Sequence, residues 1–375
     1  MPATARCTPL RRLILRIGLR DGLAGRAARG RARSQTGPVP EDDGCPKRME
    51  YGPCGGVRPD LTCEMAAHPC PFAVGGEVVA WHGEEPPAPG PSALLERART
   101  RPVVLTDLTV RPFDAANVRA VTRILAGSCD ALLVGEHHGR PDFPPALMAT
   151  LIRDMGGQPV ITLSCRDRNR VVLEQEVAGL AEVGVAGVLC VTGDGRAPGV
   201  RLGATQVFDV DGTRLAALAA AAGLVAAVPE APDAPPVPIR PARLREKQRA
   251  GARLAVLNHV GSVDRLAAFA AAARAAGATV PLVAGVAVYT DEHSASVLQR
   301  FPGLHLDPEQ VDAVLRAPDP VAAGIAAAVA EARALLAVDG VVGVNLSGSA
   351  SARGVEFAAG IKAEVGRRIS GGRAT

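Results

Sequence analysis

Aromatic residues make up only 3% of this 375-residue chain, with one tryptophan and two tyrosines. Few side chains are therefore available for unpaired bases to stack on, and a net charge of +4 is small for this length, so the composition argues against a nucleic-acid-binding protein. No apolar run reaches the roughly 18 residues that a membrane span needs. Even the alanine-rich "LAALAAAAGLVAAV" stops at Pro229 and Glu230. Two short motifs are also missing. There is no C-x-x-C pair, and Gly193, Gly195 and Gly199 are spaced G-x-G-x-x-x-G, one residue too long for a dinucleotide-binding turn.

What is present is a chain that is 47% apolar and 21% charged, enough to bury a large core. Nine arginines lie between Arg6 and Arg33 against a single acid, Asp21. Residues 1–40 read as a targeting or membrane-surface peptide or as a disordered basic extension, and a cytoplasmic location is the default expectation. Four of the eight cysteines, Cys45, Cys54, Cys63 and Cys70, crowd into 26 residues, inside and after the run "CPKRMEYGPCGG". A disulfide staple, a metal site and part of an active site are all compatible with that clustering.

Two proline-rich stretches punctuate the chain. "EEPPAPGPSA" falls in 84–99, which reads as an extended linker between a cysteine-rich domain at 41–83 and everything after it. "PEAPDAPPVPIRP", at 229–241, reads as a long loop inside one domain. From residue 100 to 372, eight β-branched runs alternate with helical patterns: "VVLT", "ALLV", "VITL", "VLCV", "LVAAV", "LAVL", "VPLVAGV" and "VVGVNL". Eight such units predict a (β/α)8 TIM barrel, with a doubly wound sheet as the alternative.

Catalytic groups of such a barrel follow the strands. The shortlist is Asp107, Glu136 with His137 and His138, the run Ser164 to Arg170, Gly193 with Asp194, Glu230, Asn258 with His259, Tyr289 and Asn345. In "SCRDRNR", Arg166, Arg168 and Arg170 form either an anion site or a solvated patch paired with Asp167 and Glu174.

Several runs together resemble the methylenetetrahydrofolate reductases: "VITLSCRDRNR", "VAGVLCVTGDGRAPG" with "QVFDVDGTRL", "RLREKQRAGARLAVLNHVGSVDRLAAFAAAARAAG" and "VPLVAGVAVY". "CPKRMEYGPCGG" is similar to a small cysteine-rich domain fused to, or partnering, bacterial reductases of that family. The resemblance implies flavin-mediated reduction of 5,10-methylenetetrahydrofolate to 5-methyltetrahydrofolate, which feeds methionine synthesis. Its electrons would come from NAD(P)H or a reduced electron-donor protein, and a homo-oligomer is expected. It further implies Asp107 as general acid, where the family has a glutamate, and Asp194 as a catalytic pterin contact. Asn258 stands as the folate amide, and Gly193, Asp194, Lys247 and Arg166 as contacts of FAD. Zinc or an iron–sulfur cluster would sit on Cys45, Cys54, Cys63 and Cys70. Where the family has a threonine, a histidine, a tyrosine and an acid around the flavin, this chain has Leu133, Thr162, Val228 and Arg240. A relative that binds folate or partners methyl transfer without redox activity of its own is the alternative.

Overall fold

The computed structural model describes residues 44–88, 90–136, 139–196, 200–201, 203–300, 304, 306–348 and 351–371. The basic stretch 1–40, the His137–His138 pair and Gly199 lie outside the described residues. After the cysteine-rich segment come helix α1 (Pro71–Gly75), helix α2 (Ala93–Thr100) and strand β1 (Val103–Leu108). Then follow α3 (Ala115–Leu125), β2 (Ala131–Val134), α4 (Pro145–Arg153), β3 (Pro159–Ser164), α5 (Arg170–Val183) and β4 (Gly187–Val191). Next are α6 (Gly212–Ala221), β5 (Ala226–Glu230), α7 (Arg240–Arg249), β6 (Ala252–Leu257), α8 (Val263–Ala275) and β7 (Leu282–Ala287). The chain ends with α9 (Glu292–Gln299), α10 (Pro308–Leu315), α11 (Pro320–Leu336), β8 (Val341–Ser347) and α12 (Val355–Ile369).

The eight strands close into one parallel barrel in sequence order, as expected. Their runs are mostly apolar because one face packs inside the barrel and the other against the helices. Val103, Leu105, Leu133, Val160, Leu189, Leu254 and Val256 belong to the inner core, while Val104, Leu132, Ile161 and Val188 face the helices. Helix starts are fixed by side chains that accept otherwise unpaired backbone N–H groups, including Asp114, Asn169, Asp211, Ser262 and Asp319. Each such cap contributes about 1 kcal/mol.

Residues Cys45–Thr375 form one compact unit, so the cysteine-rich segment is packed on the barrel. The stretch expected as a linker adheres to the barrel as well. Pro86 passes so close that a Cβ on Gly251 would sit 3.1 Å from it and 2.6 Å from Ala220. Within that stretch α2 begins, capped by Ser92, and its Leu94 and Leu95 join the inner core.

The segment is anchored by Tyr51 and Trp81, whose ring centroids are 4.9 Å apart and which pack with Ala250 and Ala217. The Trp81 backbone N–H donates to Glu246 Oε2 of α7 at 2.6 Å. Arg214 of α6 donates to both carboxylate oxygens of Glu50, at 2.5 and 2.7 Å. Because Trp81 is the single tryptophan, its emission reports this anchor alone. Tyr51→Ala is expected to cost about 3–5 kcal/mol and to shift that emission to the red, while far-UV circular dichroism retains the barrel's signal. Unchanged emission would mean the segment is held elsewhere.

Candidate functional site

Strand register places Asp107 level with Leu133, and Asn345 level with Leu105, on the inward-facing rows at the carboxyl end of the barrel. Asn345 Nδ2 donates to Asp107 Oδ1 at 2.8 Å and to Ser347 Oγ at 3.1 Å. The Asn345 Oδ1 is buried with no partner. Lys362 of α12, itself buried, donates to the Asp107 carbonyl. Burial raises the Asp107 carboxyl above its ordinary range, against the opposing pull of Lys362 and Asn345. Burial likewise lowers the Lys362 ammonium to about 8. This is a carboxylic acid tuned toward holding a proton.

The turn after β4 forms the other side of the mouth. Gly193 has φ +94°, and a Cβ there would lie 2.2 Å from Ser164 Oγ, so only glycine fits. Its carbonyl accepts from Lys47 Nζ at 2.6 Å, and Lys47 is also ion-paired with Glu64. The next carbonyl, of Asp194, accepts from Arg166 Nη1 at 3.3 Å, and Arg166 Nε donates to Asp167 at 3.0 Å. Arg166 Nη2 is buried without a partner. The Asp194 residue is exposed.

Beneath the cysteine-rich segment lies Glu230, at the end of β5 and 2% exposed. Three cations surround it: Lys247 at 2.8 Å, Arg243 at 2.9 Å and Arg240 at 3.6 Å. Burial alone would raise the Glu230 carboxyl, but these charges win and hold it at about 2. Arg240, 0% exposed, spends its remaining donors on the carbonyls of Ala234, Pro235, Pro53 and Cys54.

A cavity of about 670 Å³ opens beside the exits of β1 to β3, lined among others by Thr162, Glu136, Arg168, Glu176 and Arg196. The arginines pair internally, Arg168 with Glu136 and Arg196 with Asp167, both at 2.5 Å, and Arg170 pairs with Glu174 at 2.8 Å. "SCRDRNR" is thus largely the internally paired patch. None of Asp107, Asp194, Asn258, Lys247 or Arg166 lines this cavity. Asn258 is exposed at the end of β6, and the adjacent His259 is held through Nε2 by Glu331 at 2.6 Å.

The family model of methylenetetrahydrofolate reductase matches residues 136–346. The chain belongs to the methylenetetrahydrofolate reductase family. No curated protein matches it. Among solved structures it is similar to oxaloacetate acetylhydrolase, with 16% identity, 68% of this chain and 80% of that chain covered and a TM-score of 0.42. It is also similar to an uncharacterized protein from Clostridium thermocellum that binds two copies of 5-methyl-5,6,7,8-tetrahydrofolic acid, with 13% identity, coverages of 72% and 97% and a TM-score of 0.49. A third is tryptophan synthase from M. tuberculosis, with 14% identity, coverages of 74% and 99% and a TM-score of 0.43. None of these likenesses bears on function.

Against the methylenetetrahydrofolate reductase pattern, the residues assigned to FAD do not fit a flavin. Lys247 faces Glu230 and is 2% exposed, Arg166 is 2% exposed, and the Gly193 carbonyl is taken by Lys47. Asp194 is exposed and Gly193 half-buried. Arg240 and Arg243 press against residues 52–54 of the chain itself. The four clustered cysteines are free thiols. Burial raises Cys45 and Cys70, each of which also feels Cys54 and Cys63. Among the described residues no three His, Cys, Asp or Glu side chains converge to hold a metal ion. The Cys54 thiol donates to Glu64 at 3.8 Å.

Sequence reasoning missed Lys47 and Lys362. The sequence gives no local signal for either, since a lysine in a polar stretch reads as solvated. Glu230 carries a measurable consequence. Its folded value of about 2 lies below the ordinary 4.5, so its contribution is complete above pH 4.5 and is lost as pH falls toward 2. The difference amounts to about 3 kcal/mol. Glu230→Gln is expected to lower the urea midpoint at pH 7, since about 3 kcal/mol or more goes with three uncompensated buried cations. The gap to the native protein should narrow with acidification through that window. A gap that did not narrow would contradict the assignment.

Proposed function

We propose that this barrel reduces 5,10-methylenetetrahydrofolate to 5-methyltetrahydrofolate, taking hydride from NAD(P)H. The observation that carries the reading is the Asp107 carboxyl, inward-facing at the barrel mouth, bonded to Asn345 and pushed up by burial. In this reading Asp107 delivers its proton to N10 of the folate, and the N10–methylene bond breaks. The resulting N5 iminium carbon accepts the hydride and its electron pair to become the methyl group, and the nicotinamide leaves oxidised. Asn258 and Asp194, both open to solvent at strand exits, hold the pterin edge. In this reading the hydride passes directly from nicotinamide to carbon, because this chain's own residues cover the positions assigned to a flavin.

The covered flavin positions also favour a second reading, a folate-binding or methyl-transfer partner without turnover. Asp107→Asn separates the two. It keeps the shape and removes the proton, so kcat should fall by about 10²- to 10⁴-fold with folate affinity retained. Folate binding with no turnover in the native protein would support the second reading. The acid must be protonated, so turnover should decline as pH rises through the raised Asp107 value. Lys362 opposes that rise, and Lys362→Met is therefore expected to move the alkaline limb to higher pH. A limb that stayed put or moved down would remove Asp107 as the acid.

A further inference from the structure

We infer that residues 45–56, "CPKRMEYGPCGG", are a fixed part of the barrel's mouth, with Lys47 as the positioning residue of the Gly193–Asp194 turn. The inference deepens the proposed function and rests on it for its kinetic arm only. Lys47 is 2% exposed, and its ammonium is held on the Gly193 carbonyl on one side and Glu64 on the other. A buried, paired ammonium on a carbonyl fixes that peptide's orientation, and here the next residue is the exposed Asp194. Arg166 holds the following carbonyl from below at 3.3 Å, so the turn is clamped by one cation from the segment and one from the barrel.

The rest of the motif explains itself as close approach. A Cβ on Gly52, at φ +131°, would lie 3.2 Å from the Arg243 side chain, and one on Gly56 would overlap the Glu64 carboxylate. The barrel reciprocates, because a Cβ on Gly195 would lie 2.5 Å from Met65. The Pro53 and Cys54 carbonyls cap Arg240 at 3.2 and 2.8 Å, and the Glu50 N–H donates to Asp211 at 3.2 Å. The segment therefore contacts the exits of β4 and β5 through both backbone and side chain, on the ground that the family pattern gives to a flavin.

Hydrogen exchange read by mass spectrometry on the full chain tests this without relying on activity. In the native protein, peptides covering 45–56 should be protected like barrel strands. Lys47→Met should speed exchange in 190–196 by about tenfold or more, and Lys47→Arg should restore most of the protection. In turnover, Lys47→Met should raise KM for the folate by about tenfold with kcat changed far less, and the arginine variant should recover it. Fast exchange of 45–56 in the native protein would overturn the inference. So would unchanged exchange of 190–196 in Lys47→Met, or uptake of one FAD per chain that exposes 45–56. If the native protein shows no folate turnover, the proposed function fails while the exchange result still decides the inference.

Discussion

One buried carboxylate, Glu230, holds the arrangement together. It pairs with Lys247, Arg243 and Arg240 at once, and each of those cations then fixes something else. Arg240 ties the loop after β5 to the Pro53 and Cys54 carbonyls. Arg243 lies against Gly52, and Lys247 also reaches the Pro229 carbonyl. A buried charge cluster of this kind is not justified by its own energy, because desolvation consumes much of the attraction. Its value lies in specifying one placement of the N-terminal segment against the barrel.

That placement gives the mouth two sides of different character. Asp107 of β1, bonded to Asn345 of β8 and Lys362 of α12, is an acid whose affinity for its proton is raised by burial against the pull of those two partners. Lys47, Gly193 and Arg166 make a rigid turn that presents Asp194 to solvent. A substrate lying between them would meet a proton donor on one side and an anionic contact on the other.

The barrel was legible in the sequence because each strand is apolar on both faces, and that gives unbroken β-branched runs such as "VVLT" and "VITL". Asp107 and Asn258 stood out in the sequence because they follow apolar runs, and they do lie at the ends of β1 and β6. The N-terminal packing was not, since Lys47 meets a residue 146 positions away and Trp81 one 165 positions away. No local period reports such pairs. Lys247 illustrates the converse: its place in "RLREK" marked it as a contact of cofactor phosphate, yet its partner is an internal carboxylate.

The most direct measurement of the central claim is isotope transfer. Flavin-free protein would be supplied with 5,10-methylenetetrahydrofolate and NAD(P)H deuterated on the transferred position, and the product weighed by mass spectrometry. Direct hydride delivery at this mouth puts one deuterium into the methyl group of 5-methyltetrahydrofolate. Product carrying only solvent hydrogen, or product formed only after flavin is added, would contradict the account.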